Sequence, residues 1–275
     1  ACRLKTHMML FYRKYGSGPA LMILHGLYGS SDNWVSIAGK IDDRFTVIIP
    51  DLRNHGASPH SSIHDYDAMS LDIKELADEL NLGHFFLAGH SMGGKAAMKF
   101  AMRWPERLLG LLIADISPVN STERFKKDLE KHREIMQAMI SADISSASSR
   151  KEAEALFSSL QSEKLTGFIL KNLRRKTDGG FTWKINLGTL AASIENIMAS
   201  VEPGKNEDRS ISGFPVFFLK AGKSDYITDD DIGPILKIFP GAEIITIPEA
   251  GHWIHSDNPE AVVSALLKFL ETDQD

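Results

Sequence analysis

Six short apolar runs punctuate the chain, each bounded by glycine, proline or an acidic residue: ALMILH at 20–25, FTVIIP at 45–50, FFLAGH at 85–90, LLGLLIADI at 108–116, PVFFLKAG at 215–222 and AEIITIPEA at 242–250. Continuous rather than alternating apolarity predicts strands covered on both faces, as in a parallel sheet. Segments of helical period lie between them. In YDAMSLDIKELADELN, Met69, Ile73, Leu76 and Leu80 recur on one face, and near the C-terminus Ala261, Val262, Ala265, Leu266 and Phe269 do the same. Strands alternating with helices predict the α/β class, with a mostly parallel central sheet flanked by helices.

The alternation lapses from residue 118 to 212, where no strong strand run occurs. RFKKDLEKHREIMQAMI, SSRKEAEALFSSL and LTGFILKNLRRK all read as helices, and GGFTWKIN as a turn with an extended piece. The stretch is too long for a single crossover. The expected layout is a core built from 8–117 and 213–275, with 118–212 inserted as a helical lid (cap) over the carboxyl edge of the sheet, where open α/β folds bind ligands.

Composition narrows the classes of function. The 275 residues are 43% hydrophobic and 24% charged, with a formal net charge of −5. The 31 basic residues are scattered, which argues against a nucleic-acid surface. No apolar run approaches the ~20 residues of a membrane span, and no signal-peptide pattern is present. A single cysteine, Cys2, excludes an internal disulfide and a cysteine-based metal cluster. The opening ACRLKTHM reads as a processed leader or an added segment, and the expected location is a reducing, cytoplasmic one. No His/Asp/Glu spacing suggests a metal and no cofactor fingerprint is present, so neither is expected. Oligomeric state stays open.

The chemistry starts at LAGHSMGGKAAM, residues 87–98. Gly89-His90-Ser91-Met92-Gly93 matches G-x-S-x-G at a strand-to-helix turn, the context of a nucleophile elbow. Glycines leave room beside a serine pushed outward, and the helix N-terminus beneath it lends positive potential where an oxyanion would form. The amide of Met92, next after the serine, is the first oxyanion donor expected. A serine needs a base. His252 follows the last strand run, in PEAGHWIHSDNPE, on the edge where Ser91 emerges. His255 is its local competitor, and His90 reads as packed under the elbow.

A carboxylate must orient the base, and two compete. Asp225 in KAGKSDYIT follows the strand 215–221, and Asp115 in LLIADISPV follows the strand after the elbow helix. Each also has a plain structural reading, as a cap or a surface acid. Tyr28, Trp34, Trp183 and Trp253 are candidates to line a substrate pocket, with plain core packing as the alternative. DLRNHGASP reads as a hydrogen-bonded structural loop.

Together, ILHGLYGSSDNW, DLRNHGASP, GHSMGGKAAM, ADISPV and AGHWIHSDNPE resemble the α/β-hydrolase fold superfamily, from Met9 to Leu270 and most weakly across 118–212. Their wording is similar to the branch of small bacterial esterases and thioesterases related to a mitochondrial α/β-hydrolase. The resemblance implies a Ser91–His252 pair completed by Asp115, since D-I-x-P recurs in that branch, whereas fold-wide habit implies Asp225. It assigns the second oxyanion donor to Leu27. It implies a serine hydrolase cleaving carboxylic esters or thioesters of short to medium acyl chains through an acyl-enzyme. C–C bond hydrolysis, perhydrolysis, or slow turnover in a ligand receptor are the alternatives on the same scaffold.

Overall fold

The computed structural model describes residues 8–160, 162–204 and 210–271; Cys2 and the rest of the opening segment before Met8 lie outside it. Seven strands form the main sheet in the order β1-β3-β2-β4-β5-β8-β9. They are β1 (Tyr12–Tyr15), β2 (Ala20–Leu24), β3 (Thr46–Pro50), β4 (Phe85–His90), β5 (Leu108–Ala114), β8 (Val216–Ala221) and β9 (Ala242–Ile247). Every neighbouring pair is parallel except β1 with β3. All six residues of β4 are buried, as its unbroken apolarity predicts, and β4 sits between β2 and β5 at the centre.

Helices cover both faces. On one, α3 (Met92–Arg103) packs over β4 and β5, and α2 (Tyr66–Glu79) packs against α3. Asp65 caps α2 by accepting the Ala68 N–H at 2.8 Å. On the other face lie α1 (Val35–Ala38) and α11 (Pro259–Glu271), whose Val262, Leu266 and Phe269 are fully buried. Two short helices remain in the core region, α9 (Ile232–Ile238) and α10 (Ile254–Asp257).

Between β5 and β8 the chain runs through α4 (Thr122–Ser141), α5 (Arg150–Ala155), α6 (Glu163–Leu170), α7 (Leu187–Ala192) and α8 (Ile194–Met198). A small hairpin of β6 (Leu173–Arg175) and β7 (Phe181–Trp183) interrupts them. Two helices expected from sequence are therefore shorter. The one read through LTGFILKNLRRK stops at Leu170, where Asn172 turns back, its side chain donating to Ile169 O and Tyr28 O, and Leu173–Arg175 becomes a strand. SSRKEAEALFSSL is helical over Arg150–Ala155 alone. The edge strand β1 escapes the apolar-run reading because YRKY is only partly buried.

The DLRNHGASP loop is knotted by its own side chains. Asp51 accepts the Ser31 and Ala57 amides at 2.6 and 2.8 Å, and Arg53 grips Asp72 with two bonds of 2.6 Å. Asn54 Oδ1 accepts the Ser61 N–H at 2.8 Å. Gly56 sits at φ 58°.

Candidate active site

Ser91 stands between β4 and α3 with φ 52° and ψ −120°, a conformation L-residues rarely adopt. The turn is held from both sides, by the Ser91 N–H on Ala114 O at 3.1 Å and the Lys95 N–H on Ser91 O at 3.0 Å. It also requires bare backbone: a Cβ on Gly89 would lie 2.4 Å from Gly93 O, and one on Gly93 would lie 2.5 Å from His25 O.

His252 reaches this serine from the loop after β9. Its Nε2 lies 3.0 Å from Ser91 Oγ, and its Nδ1 lies 2.8 Å from Asp115 Oδ2. Asp115 is wholly buried at the end of β5, itself at positive φ (49°). Its Oδ1 accepts the Ala221 N–H at 3.0 Å, and its Oδ2 also accepts the Ser224 hydroxyl at 2.5 Å. A carboxylate so supplied with donors presents one defined oxygen to the ring, so Nδ1 carries the proton and Nε2 is left to accept from Ser91.

Two neighbours fix the imidazole further. The Tyr226 ring stacks on it at 3.9 Å between centroids and 23° between planes. His90 Nε2–H donates to the His252 carbonyl at 2.7 Å. Burial, then the neighbouring His252 and His255, keep His90 well below the usual imidazole range, and it stays a neutral strut under the elbow. His255 makes no bond to Ser91; it stacks on Trp34 at 4.9 Å, and burial takes it down to about 4.

Of the two acids considered from sequence, the structure brings Asp115 to His252. Asp225 points to solvent, ion-paired with Lys127 of α4. The loop carrying it still serves the site through its neighbours, Ser224 on Asp115 and Tyr226 on His252. Sequence reading passed over both, although they flank the residue it singled out.

Leu27 and Met92 lie beside Ser91, lining the same small hollow. Met92 is the first residue of α3, so its amide has no intrahelical acceptor. Among the described residues no acceptor takes the Leu27 amide either. A larger cavity of about 340 Å³ opens on the His252 side, lined by Tyr28, Trp34, Phe168 and Trp253 among others. Trp183 is not part of that lining. It belongs to β7 and meets Phe157 edge-on at 6.0 Å. From α4, His132 lines both spaces; its Nδ1 accepts from Tyr28 Oη at 3.2 Å, and burial takes it down to about 3. Among the described residues no group of three or more histidine, cysteine or acidic side chains is arranged to hold a metal. No helix there is long and apolar enough to cross a membrane.

The family model for the alpha/beta hydrolase fold matches residues 19–259. The chain belongs to that family. Among its relatives is the mouse sn-1-specific diacylglycerol lipase ABHD11, 39% identical over 256 residues, covering 92% of this chain and 81% of that protein. The esterase YbfF of Escherichia coli is 31% identical, covering 91% and 92% respectively. A solved marine microorganism esterase superimposes with a TM-score of 0.90 at 43% identity, over 95% of this chain and 99% of that one. The sequence motifs implied membership of the α/β-hydrolase superfamily and kinship with small bacterial esterases, and these relatives agree with it.

Proposed function

We propose that the chain is a serine hydrolase that cleaves carboxylic esters or thioesters with short to medium acyl chains through a covalent acyl-enzyme. The observation that carries this reading is the continuous hydrogen-bonded line from Ser91 Oγ through His252 to the buried Asp115. The esterase and lipase names of its relatives support ester cleavage.

In this reading Ser91 Oγ attacks the acyl carbon as its proton passes to His252 Nε2. Asp115 holds the Nδ1–H and stabilises the imidazolium. The oxyanion of the tetrahedral intermediate accepts from the Leu27 and Met92 amides. Collapse breaks the bond to the alcohol or thiol, which leaves with the proton from Nε2. Water, deprotonated by the same nitrogen, then attacks the acyl-enzyme, releasing the acid and restoring Ser91. Residues 118–212 act as a cap: His132 and Phe168, from α4 and α6, lie against the cavity and would bound the substrate there.

A panel of p-nitrophenyl esters of increasing chain length, with matching acyl-CoA thioesters, tests the reading. Saturable turnover that peaks within the short to medium range and vanishes in Ser91→Ala is expected. Undiminished turnover in that variant would refute it.

A further inference from the structure

Behind Ser91 lies a second hollow of about 30 Å³, bounded by Leu27, Met92 and Lys95 from the core and by Asn120, Asp128 and Met198 from the stretch between β5 and β8. His252 lines the larger cavity and not this one. If the acyl-enzyme reading above holds, that division orients the ester. The leaving oxygen must take a proton from His252 Nε2, so the alcohol or thiol lies in the larger cavity. The carbonyl oxygen must face the Leu27 and Met92 amides, both at the small hollow. The acyl arm therefore points into it. Space of this size holds one or two water-sized groups, so the arm is short.

The hollow is lined mostly by apolar surface, but Lys95, Asn120 and Asp128 also reach it, and they carry unmet bonding capacity. Lys95, 3% exposed, donates from Nζ to Met198 O at 3.3 Å and Ala199 O at 2.7 Å, which leaves the third ammonium proton with no acceptor among the described residues. Burial pulls this ammonium down to about 8, against the opposing pull of Asp128. Asp128 is 5% exposed, and among the described residues no donor bonds its carboxylate. Asn120 Oδ1 is buried without a partner. Arg124 is already committed to Asp231 by bonds of 2.9 and 2.8 Å. A fully buried atom left without a partner, as Asn120 Oδ1 is, is costly unless an occupant bonds it.

The charges choose the occupant. A carboxylate on the acyl arm would meet Asp128, and an ammonium would meet Lys95; a methyl would leave both unbonded. A hydroxyl satisfies both at once, accepting from one and donating to the other. We propose that Lys95, Asp128 and Asn120 form an acyl subsite for a short hydroxyacyl group, with the substrate hydroxyl accepting from Lys95 Nζ and donating to Asp128 or Asn120 Oδ1.

The test is a series of ethyl esters with short acyl arms that end in different groups, followed by pH-stat: ethyl butanoate, ethyl 3-hydroxypropanoate, ethyl 3-aminopropanoate and ethyl hydrogen malonate. Sites built to bond a hydroxyl reject analogues lacking it. The hydroxy ester is expected to exceed ethyl butanoate at least ~10-fold in kcat/KM, with the charged pair below both. Lys95→Met should bring the hydroxyl-to-methyl ratio close to one. Asp128→Asn, which keeps shape, should lower that ratio and raise hydrogen malonate relative to ethyl butanoate, because Lys95 then faces it unopposed. A ratio of one or below in the wild type, as for a hollow that merely holds water, overturns the proposal. So does a ratio that survives both substitutions. Absent turnover of the whole series with Ser91 still labelled by a fluorophosphonate overturns the subsite alone; absent labelling overturns the acyl-enzyme reading.

Discussion

Replacing Asp115 by asparagine changes one atom and one charge, yet the structure allows no harmless placement of the new amide. The Oδ1 position faces the Ala221 N–H, and the Oδ2 position faces both the Ser224 hydroxyl and the His252 ring. An NH₂ at Oδ1 sets donor against donor on a backbone amide that cannot turn away. An NH₂ at Oδ2 is accommodated by moving the His252 proton from Nδ1 to Nε2. His252 then donates toward Ser91 instead of accepting from it, which is the wrong tautomer for a base. An equivalent change at a triad acid costs ~10⁴ in turnover, or about 5.5 kcal/mol of barrier at ~1.36 kcal/mol per tenfold. Asp225→Asn removes an exposed pair with Lys127, worth ~0–1 kcal/mol to stability, and touches no site residue. The expected result is therefore a loss in kcat of about 10⁴ for Asp115→Asn and less than about threefold for Asp225→Asn. The assay is steady-state hydrolysis of p-nitrophenyl butyrate, with circular dichroism verifying the fold. The reverse order, or equal losses, would refute the argument.

Three other outcomes follow from the structure. Asp72→Ala strands the buried Arg53 guanidinium, whose pair with Asp72 has both side chains under a tenth exposed; a loss of about 3–5 kcal/mol is expected in denaturant titration, and one below ~1 kcal/mol would mean the pair is not buried in solution. Six histidines are held below their ordinary range chiefly by burial: His25, His55 and His90 by direction, His64 and His132 to about 3, and His255 to about 4. Above pH ~6.5 both folded and unfolded chains leave them neutral; as pH falls from there toward the folded values only the unfolded chain gains protons, so each removes up to about 1.4 kcal/mol of stability per pH unit. Melting temperatures should fall steeply between pH 6.5 and 4.5, and a flat profile would contradict their burial. Phe168→Ala should shift the ratio of turnover between esters of long and short alcohols, because Phe168 lines the larger cavity beside Trp253, whereas Trp183→Ala should not, since it packs on Phe157 instead; equal shifts would break this assignment.

Six of the seven sheet strands were legible because each lies in a largely apolar run, while β1, YRKY, was not; Ser91 was legible because an elbow needs Gly89 and Gly93 in the local sequence. His252 was legible from its place after the last strand. The choice between Asp115 and Asp225 was not, because both follow parallel strands on the same edge. Which carboxylate turns inward depends on Ser224, the Ala221 amide and the solvent-facing Lys127, contacts between distant segments. The surroundings of Trp183 were not legible for a related reason: an aromatic in a short hairpin reads the same whether it faces a cavity or Phe157. Lys95 gave no sign of burial, since lysine on a helix ordinarily reaches solvent; here the 198–199 carbonyls lie over it.

The central claim is that Ser91 carries the acyl group. Quenching the enzyme with acid during turnover of a p-nitrophenyl ester, followed by peptide mass spectrometry, tests it most directly. The account predicts the acyl mass increment on the peptide containing Ser91, and its absence from Ser91→Ala. An increment on any other residue, or hydrolysis that persists at the wild-type rate in Ser91→Ala, would contradict it.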